Sequence, residues 1–239
     1  VQGRGIDAAA ARERLQPFVP AFAYTLAGRV DLTATLKGAA AAVDAVDFAL
    51  AAAALDFANA DGTQAAEKLD FSVTGRLSAR GADWHGDARV ELRGGALFVD
   101  PLYVEPTPQS PLRLATRLDW AAAPQRLQLR ELTLDHAGVA QARADVQLRL
   151  AAATVVESVD LELREAQLPG AYLNYIQPWL HGRLGDALET AGQFSGRYRY
   201  RADGAAALRL ELRDVDVEDT GQRFGFAGLD GVIDWGSDA

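Results

Sequence analysis

The sequence has no cysteine and no methionine, and only two of its 24 basic residues, Lys37 and Lys68, are lysines. The absence of cysteine excludes a disulfide framework and metal sites built on thiolates. It does not fix the compartment, because chains without disulfides occur both in a reducing cytosol and in a cell envelope. Twenty-two arginines and many alanines are typical of a GC-rich genome.

The chain also lacks a basic stripe and a long apolar run. Its formal net charge is -9 and its basic residues are scattered, which argues against nucleic acid as a partner. No apolar run approaches the ~20 residues that a membrane-spanning helix needs. The start, VQGRGID, has neither an initiator methionine nor a signal-peptide pattern, so we interpret residues 1–239 as one continuous segment of a longer protein.

What the sequence does contain is alternation of apolar and charged residues, shown best by RLQLRELTLDHAGVAQARADVQLRL at 126–150. This period of two is typical of strands with one wet and one apolar face. The apolar phase slips from odd to even positions at Arg130–Glu131, which predicts a β-bulge near Glu131. After the turn at Ala137–Gly138 the alternation resumes, which predicts a hairpin.

The same pattern, separated by short turns, predicts a mainly antiparallel meander. The Pro-rich segment 100–111 is expected on an edge or outside the sheet, where it acts as a connector or a binding loop. The predicted strands lie at 21–37, 43–58, 67–80, 84–93, 96–105, 111–120, 125–134, 138–151, 155–166, 193–202, 205–217 and 222–235.

Two helices are predicted. Asp7 can cap a short one through AAAARERLQ. A longer amphipathic helix near 169–191 is indicated by apolar residues that recur every three or four positions, including Trp179 and Leu188. Pro178 either kinks this helix or begins a second one, and Gly192 is placed to end it.

A weak internal repeat links 55–75 with 215–236. Both segments show an apolar strand, an acidic residue, a turn, and then Leu-Asp leading into a second strand. The pattern predicts two related hairpins stacked in an array.

The predicted helices are too small to cover the apolar side of the strands. About twelve strands spaced ~4.8 Å apart span more than ~50 Å, whereas a helix is only ~10 Å wide. The sheet must therefore pack on itself as a sandwich, close as a barrel, or form an open trough whose apolar face serves a partner or lipid.

Several phrases resemble the AsmA-like proteins of Gram-negative envelopes, and most closely their YdbH and TamB type. They are GRL, GGALFVDPLYVE, LPGAYLNYIQPWLHGRL, TAGQFSGRYRY and GFAGLDGVIDW. The resemblance implies an all-β, curved meander forming an open hydrophobic groove. It also implies an inner-membrane anchor outside this segment, a periplasmic location, and phospholipid transport between inner and outer membranes.

The candidate lipid-binding residues are inward-facing aliphatics of the alternating strands. Acyl chains would be the ligand, at about 0.8 kcal/mol per buried methylene. No cofactor is expected. The candidates are Leu127, Leu129, Leu132, Leu134, Val146, Leu148, Leu150, Leu161, Leu163, Leu208, Leu210 and Leu212.

Catalytic and metal sites are not predicted. The three histidines lie far apart, and we interpret His136 as a turn residue. No phosphate-binding loop or nucleophile motif is present. The string RDVDVEDTG departs from a calcium loop, because Asp219 stands where glycine is needed, and it is expected to be a solvated face. The four tryptophans are expected to pack in the core.

Two alternatives remain open. A closed β-sandwich would be a structural or adhesion module without lipid. An outer-membrane barrel would also alternate, although aromatic residues make up only 8% of the chain and leave thin lipid-facing girdles.

Overall fold

The computed structural model describes residues 1–15, 24–39, 42–150, 154–180 and 187–237. The thirteen strands of these ranges form one open antiparallel sheet, in which β1 and β13 are the edges. The predicted all-β meander is therefore confirmed, and the closed sandwich is wrong, because the apolar face is not packed against a second sheet within the described ranges.

Strand order follows chain order throughout, except that the short β6 pairs only with β5 and lies off the main path. This placement confirms the expectation for the Pro-rich segment. The strands are β1 Gln2–Asp7, β2 Tyr24–Ala39, β3 Ala42–Asn59, β4 Gln64–Arg80, β5 Asp83–Val99, β6 Leu102–Val104, β7 Leu112–Ala121, β8 Arg126–His136, β9 Ala140–Leu150, β10 Thr154–Leu168, β11 Leu188–Arg201, β12 Ala206–Asp219 and β13 Gly225–Ser237.

The first helix, α1, spans Ala8–Leu15 as predicted. The Asp7 carboxylate accepts a hydrogen bond from the backbone N–H of Ala10 at 2.8 Å and so caps the free donors of the first turn. Ala8 is buried against Ala52 and Leu55 of β3, which places α1 on the apolar side of the sheet.

The helix predicted near 169–191 is wrong in extent. The described part is a π-helical turn, Tyr172–Ile176, that continues without a break into α2, Gln177–Leu180, and Pro178 lies in the first turn of α2. We call these two pieces together the second helical segment. Residues 181–186 lie outside the described ranges, and β11 has begun at Leu188.

The predicted helix does not extend to residue 191, because Leu188 to Ala191 pair with a neighbouring strand of the sheet. Leu188 pairs with Asp219, and Ala191 with Asp216, so the backbone groups join a ladder instead of a helix. Gly192 does not end a helix. It lies inside β11, where its positive φ of 98° is needed next to a bulge.

Two strand predictions also need correction. Gln2–Asp7 is a strand, β1, although its sequence GRG lacks apolar alternation; it is held by pairing with β2. The separate strands expected at 84–93 and 96–105 are one strand, because β5 continues through Gly94 and Gly95 and only then gives way to β6.

The bulge predicted at Glu131 is confirmed. Its φ is 50° and the register shifts there between Leu129 and Leu132. The extra residue of a bulge loses its ladder partner, and here the N–H of Glu131 donates instead to Asp145 Oδ1 at 2.8 Å.

Within the described ranges the same arrangement occurs five times, and we call these positions Asp-bonded bulges. In each, a residue with positive φ donates its backbone N–H to an aspartate on a neighbouring strand over 2.6 to 3.0 Å. The pairs are Gly5 with Asp31, Lys68 with Asp56, Glu131 with Asp145, Asp214 with Asp230, and Gly228 with Asp216.

Two of these bulges explain the internal repeat. Segments 55–75 and 215–236 are the β3–β4 and β12–β13 hairpins. Asp56 and Asp216 hold the bulges at Lys68 and Gly228, in equivalent places of the two hairpins. The predicted hairpins are confirmed, but they lie near opposite edges of the sheet and are not stacked on each other.

The open sheet exposes an unusually large surface. The accessible area is 14670 Å², whereas a compact monomer of 25.5 kDa exposes roughly 10,000 Å². None of the described helices combines the length and apolar character that crossing a bilayer requires. The excess surface belongs to a sheet that has few elements packed on it.

Candidate functional site: an apolar face with a cavity at its N-terminal end

Directly paired residues of antiparallel strands share one face of a sheet. The register therefore connects apolar side chains into rows that cross the strands. The row that we call the middle row runs through every strand from β2 to β13 except β6 and consists of Leu32, Leu50, Val73, Val90, Leu114, Leu134, Ala142, Leu163, Gly196, Leu210 and Ile233.

All twelve predicted residues lie on this face, and the register brings them together. Leu134, Leu163 and Leu210 belong to the middle row. All twelve are half-buried, which means that they keep part of their surface open to solvent. The other nine are also paired across neighbouring strands. On β8, β9 and β10 the pairs are Leu127 with Leu148, Leu129 with Val146, Leu132 and Leu161 with Ala144, and Leu150 with Thr154. On β11 and β12 they are Leu208 with Tyr198 and Leu212 with Phe194.

The opposite face is a network of ion pairs. Glu131 lies 3.3 Å from Arg117 and 3.5 Å from Arg143, and Arg209 lies 3.1 Å from Asp234. The Arg113 guanidinium donates a hydrogen bond to Glu91 and, against some desolvation, holds the pKa of that carboxyl below its usual value. The charged residues therefore keep this face of the sheet hydrated. The apolar face is the one on which an apolar ligand can bind.

The described helices cover one margin of the apolar face. The row next to the middle row, which we call the covered row, includes Ala52, Leu92 and Leu112, all of which are buried. Tyr175 of the second helical segment packs on Leu92 and Leu112, and α1 packs on Ala52. In the middle row and on the side of it away from the helices, the described leucine, valine and isoleucine side chains are half-buried or exposed, and only the small Ala144 is buried.

His136 lies in this covered row. As predicted, it opens the turn after β8, since its carbonyl accepts a hydrogen bond from the N–H of Val139 at 2.9 Å, but the turn interpretation missed its buried side chain. It ends β8 with only 2% of its surface exposed. Its Nδ1 lies 2.8 Å from the hydroxyl of Tyr175. Burial lowers the pKa of His136 and raises the pKa of Tyr175 to about 12, so both groups are neutral near pH 7.

The tryptophan expectation is only partly right. Trp84 and Trp120 pair with each other across β5 and β7 and are half-buried. Trp179 and Trp235 are 60% and 53% exposed. Trp235 lies on the apolar face at the edge strand β13, opposite Leu208, and no described strand pairs with its outer side.

The acidic string of β12 behaves as a solvated face up to Glu218, but Asp219 is buried. Its two carboxylate oxygens accept hydrogen bonds from the Arg223 guanidinium at 2.5 and 2.8 Å, and this partner lowers the pKa of Asp219 to about 2. Within the described ranges, acidic residues and histidines do not gather into groups of three that could hold a metal ion.

A cavity of about 590 Å³ lies on the apolar face where α1 crosses β2, β3 and β4. Sequence reasoning missed it, because the candidates were chosen from β8 to β12. Its apolar lining includes Ile6, Leu26, Val30, Leu50, Phe57 and Phe71. The polar side chains that reach it are Arg12, Tyr24 and Gln64, of which the last two are hydrogen-bonded to each other.

Comparison with known proteins gives no relative: no protein-family model, no curated protein and no solved structure matches this chain.

Proposed function

We propose that this chain binds the acyl chains of lipids along its apolar face and acts without catalysis. The observation that carries the proposal is the middle row: eleven apolar or glycine residues cross eleven strands in register, and none of them is buried. A soluble protein rarely leaves such a large apolar patch open unless the patch receives a partner or ligand.

The chemistry of the two faces supports lipid over a soluble partner. Acyl chains can adapt to a lane of aliphatic side chains and gain about 0.8 kcal/mol for each methylene removed from water. Polar head groups stay at the open side, in water. Together with the resemblance to AsmA-like proteins, this favours a role for the chain in the periplasm, in phospholipid transport between the inner and outer membranes.

The test is a pair of variants on adjacent residues of β9. Leu148 faces the apolar side between Leu127 and Val156, whereas Gln147 faces the other side between Gln128 and Ser158. Because Leu148 is half-buried in the open part, the carboxylate of Leu148→Asp can hydrate, and we expect a loss of only about 1 kcal/mol in the free energy of unfolding.

Native mass spectrometry of protein purified from cells should show bound phospholipid in the wild type and in Gln147→Asp, and much less in Leu148→Asp. Gln147 is a better control than its neighbour Arg149, which pairs with Glu157 at 3.3 Å. Wild-type protein that carries no lipid under mild conditions would contradict the proposal. Insoluble Leu148→Asp protein would show that this strand is packed instead of open.

A further inference from the structure

We propose that Arg12 binds the anionic head group of an amphiphile whose acyl chain occupies the cavity beneath α1. The inference rests on the proposed lipid-binding function and assigns one end of the apolar face to a defined class of ligand. It would make this cavity selective, whereas the rest of the face recognises only apolar surface.

The first argument is the state of the Arg12 side chain. Its Nε is closed to solvent and has no hydrogen-bond partner, and no carboxylate of the described residues forms an ion pair with it. A buried N–H without an acceptor is costly, and a charged one is costlier still. A protein that keeps such a group has left room for an acceptor that arrives from outside.

The second argument is the surroundings. Arg12 lines the same cavity as Leu26, Phe57 and Phe71, so an acceptor that reaches it enters an apolar chamber. A small inorganic anion would leave the chamber unfilled. An acyl chain with a terminal phosphate or carboxylate can fill the cavity and also pair with the guanidinium. The planar donor fork of arginine suits either anionic group.

The third argument is local charge. Asp7 caps α1 through the N–H of Ala10, and Asp31 accepts from the N–H of Gly5. Neither of these aspartates of β1 and β2 lies within ion-pair distance of Arg12. The positive charge is therefore available to a ligand.

Three ligands with the same twelve-carbon chain test the inference on the full chain: dodecyl phosphate, dodecanoate and the neutral dodecyl maltoside. Their affinities are measured by calorimetry below their micellar concentrations. We expect the wild type to bind at least one anionic ligand about tenfold or more tightly than the maltoside, because a charge-assisted hydrogen bond adds to chain burial. Preference for the phosphate points to a phospholipid head group, and preference for the carboxylate to a fatty acid.

Arg12→Gln should remove this preference, so that the anionic ligands bind about as tightly as the maltoside does to the same variant. Arg12→Lys should keep part of it, since the charge remains but the fork is lost. The matched control is Arg4→Gln, which removes an exposed arginine of β1 that does not line the cavity. Equal binding of all three ligands by the wild type, or an unchanged preference in Arg12→Gln, would overturn the inference and leave the proposed function intact. Absence of binding of any ligand would overturn both.

A stability measurement separates ligand binding from a structural role. Arg12 is half-buried, and its Nε is buried without a hydrogen-bond partner; Arg12→Met removes this N–H and leaves an apolar side chain that ends at about the position of Nε. Without ligand, its Tm should rise by about 2 to 4 °C, and the anionic preference should be lost. A lower Tm would show that Arg12 holds the fold and would contradict the assignment.

Discussion

His136 and Tyr175 are the polar side chains that join the second helical segment to the covered row. Both are largely withdrawn from water, and each satisfies the other through one hydrogen bond. Burial favours the neutral imidazole, because a charged ring would lose its hydration beside Leu112, the residue paired with His136 on β7. Asp135 opposes that effect only in part.

The pair predicts a dependence of stability on pH. The folded pKa of His136 lies below its ordinary value of 6.5, so the unfolded chain takes up the proton first. Its contribution to stability is therefore present above about pH 6.5 and is lost as the pH falls through that value towards the folded pKa. The urea midpoint of the wild type should be lower at about pH 5.5 than at about pH 7.5. This difference should be smaller in His136→Gln.

The matched control for this prediction is His85→Gln, which changes a half-buried histidine of β5. It should keep the wild-type difference between the two midpoints. If His136→Gln retains the full difference, the protonation of another group causes it, and the buried pair is not the pH-sensitive contact.

The Asp-bonded bulges give a second prediction at the scale of single residues. Asp56→Ala and Asp216→Ala each remove the acceptor of one bulge N–H and should lower the free energy of unfolding by about 1 kcal/mol. Asparagine at either position keeps a carbonyl oxygen and should restore most of the loss. Urea unfolding measures these free energies, and the exposed Asp44→Ala is the control. If Asp44→Ala and Asp56→Ala lower the free energy of unfolding equally, the loss comes from the change in net charge and not from the hydrogen bond.

At the scale of the strand, three bulges each require a glycine at the facing position of the neighbouring strand. A Cβ on Gly192 would lie 2.2 Å from the carbonyl oxygen of Asp214, and one on Gly95 would lie 2.3 Å from that of Lys68. Both glycines also have positive φ. The third case is Gly28 against Ala54, at 2.7 Å.

Gly192→Ala should therefore cost more than strain of the backbone alone. Gly138 has a similar positive φ but open space around it, so Gly138→Ala reports the conformational penalty of about 1 kcal/mol. Gly192→Ala should lose about 2 to 4 kcal/mol, since β11 and β12 must also separate. Equal costs in urea unfolding would mean that the strands adjust without loss.

Sequence patterns predicted the elements where alternation was strong and failed where another force decided. The phase slip at Arg130–Glu131 located a bulge correctly, because a one-residue insertion must move every later side chain to the other face. The stretch after Ala187 carries both a helical and a strand period, and pairing of Leu188 with Asp219 selected the strand. The unpaired state of Arg12 could not be predicted, since it depends on which residues do not reach it.

At the scale of the whole molecule, one layer of sheet buries less surface than a compact fold. The slope of the free energy of unfolding against urea concentration depends on the area exposed on unfolding. For this chain the slope should be lower than for a compact protein of equal length. Addition of a bound amphiphile should raise the urea midpoint as the ligand stabilises the folded state. A slope equal to that of a compact protein would contradict the open sheet in solution.

The middle row runs perpendicular to the strands, and this direction determines how such a molecule changes in length. Each further hairpin adds two strands, about 10 Å, to the row and leaves the existing pairs untouched. Strand length sets only the width. The length of the apolar row is therefore set by the number of strands, and the length of any single strand does not change it.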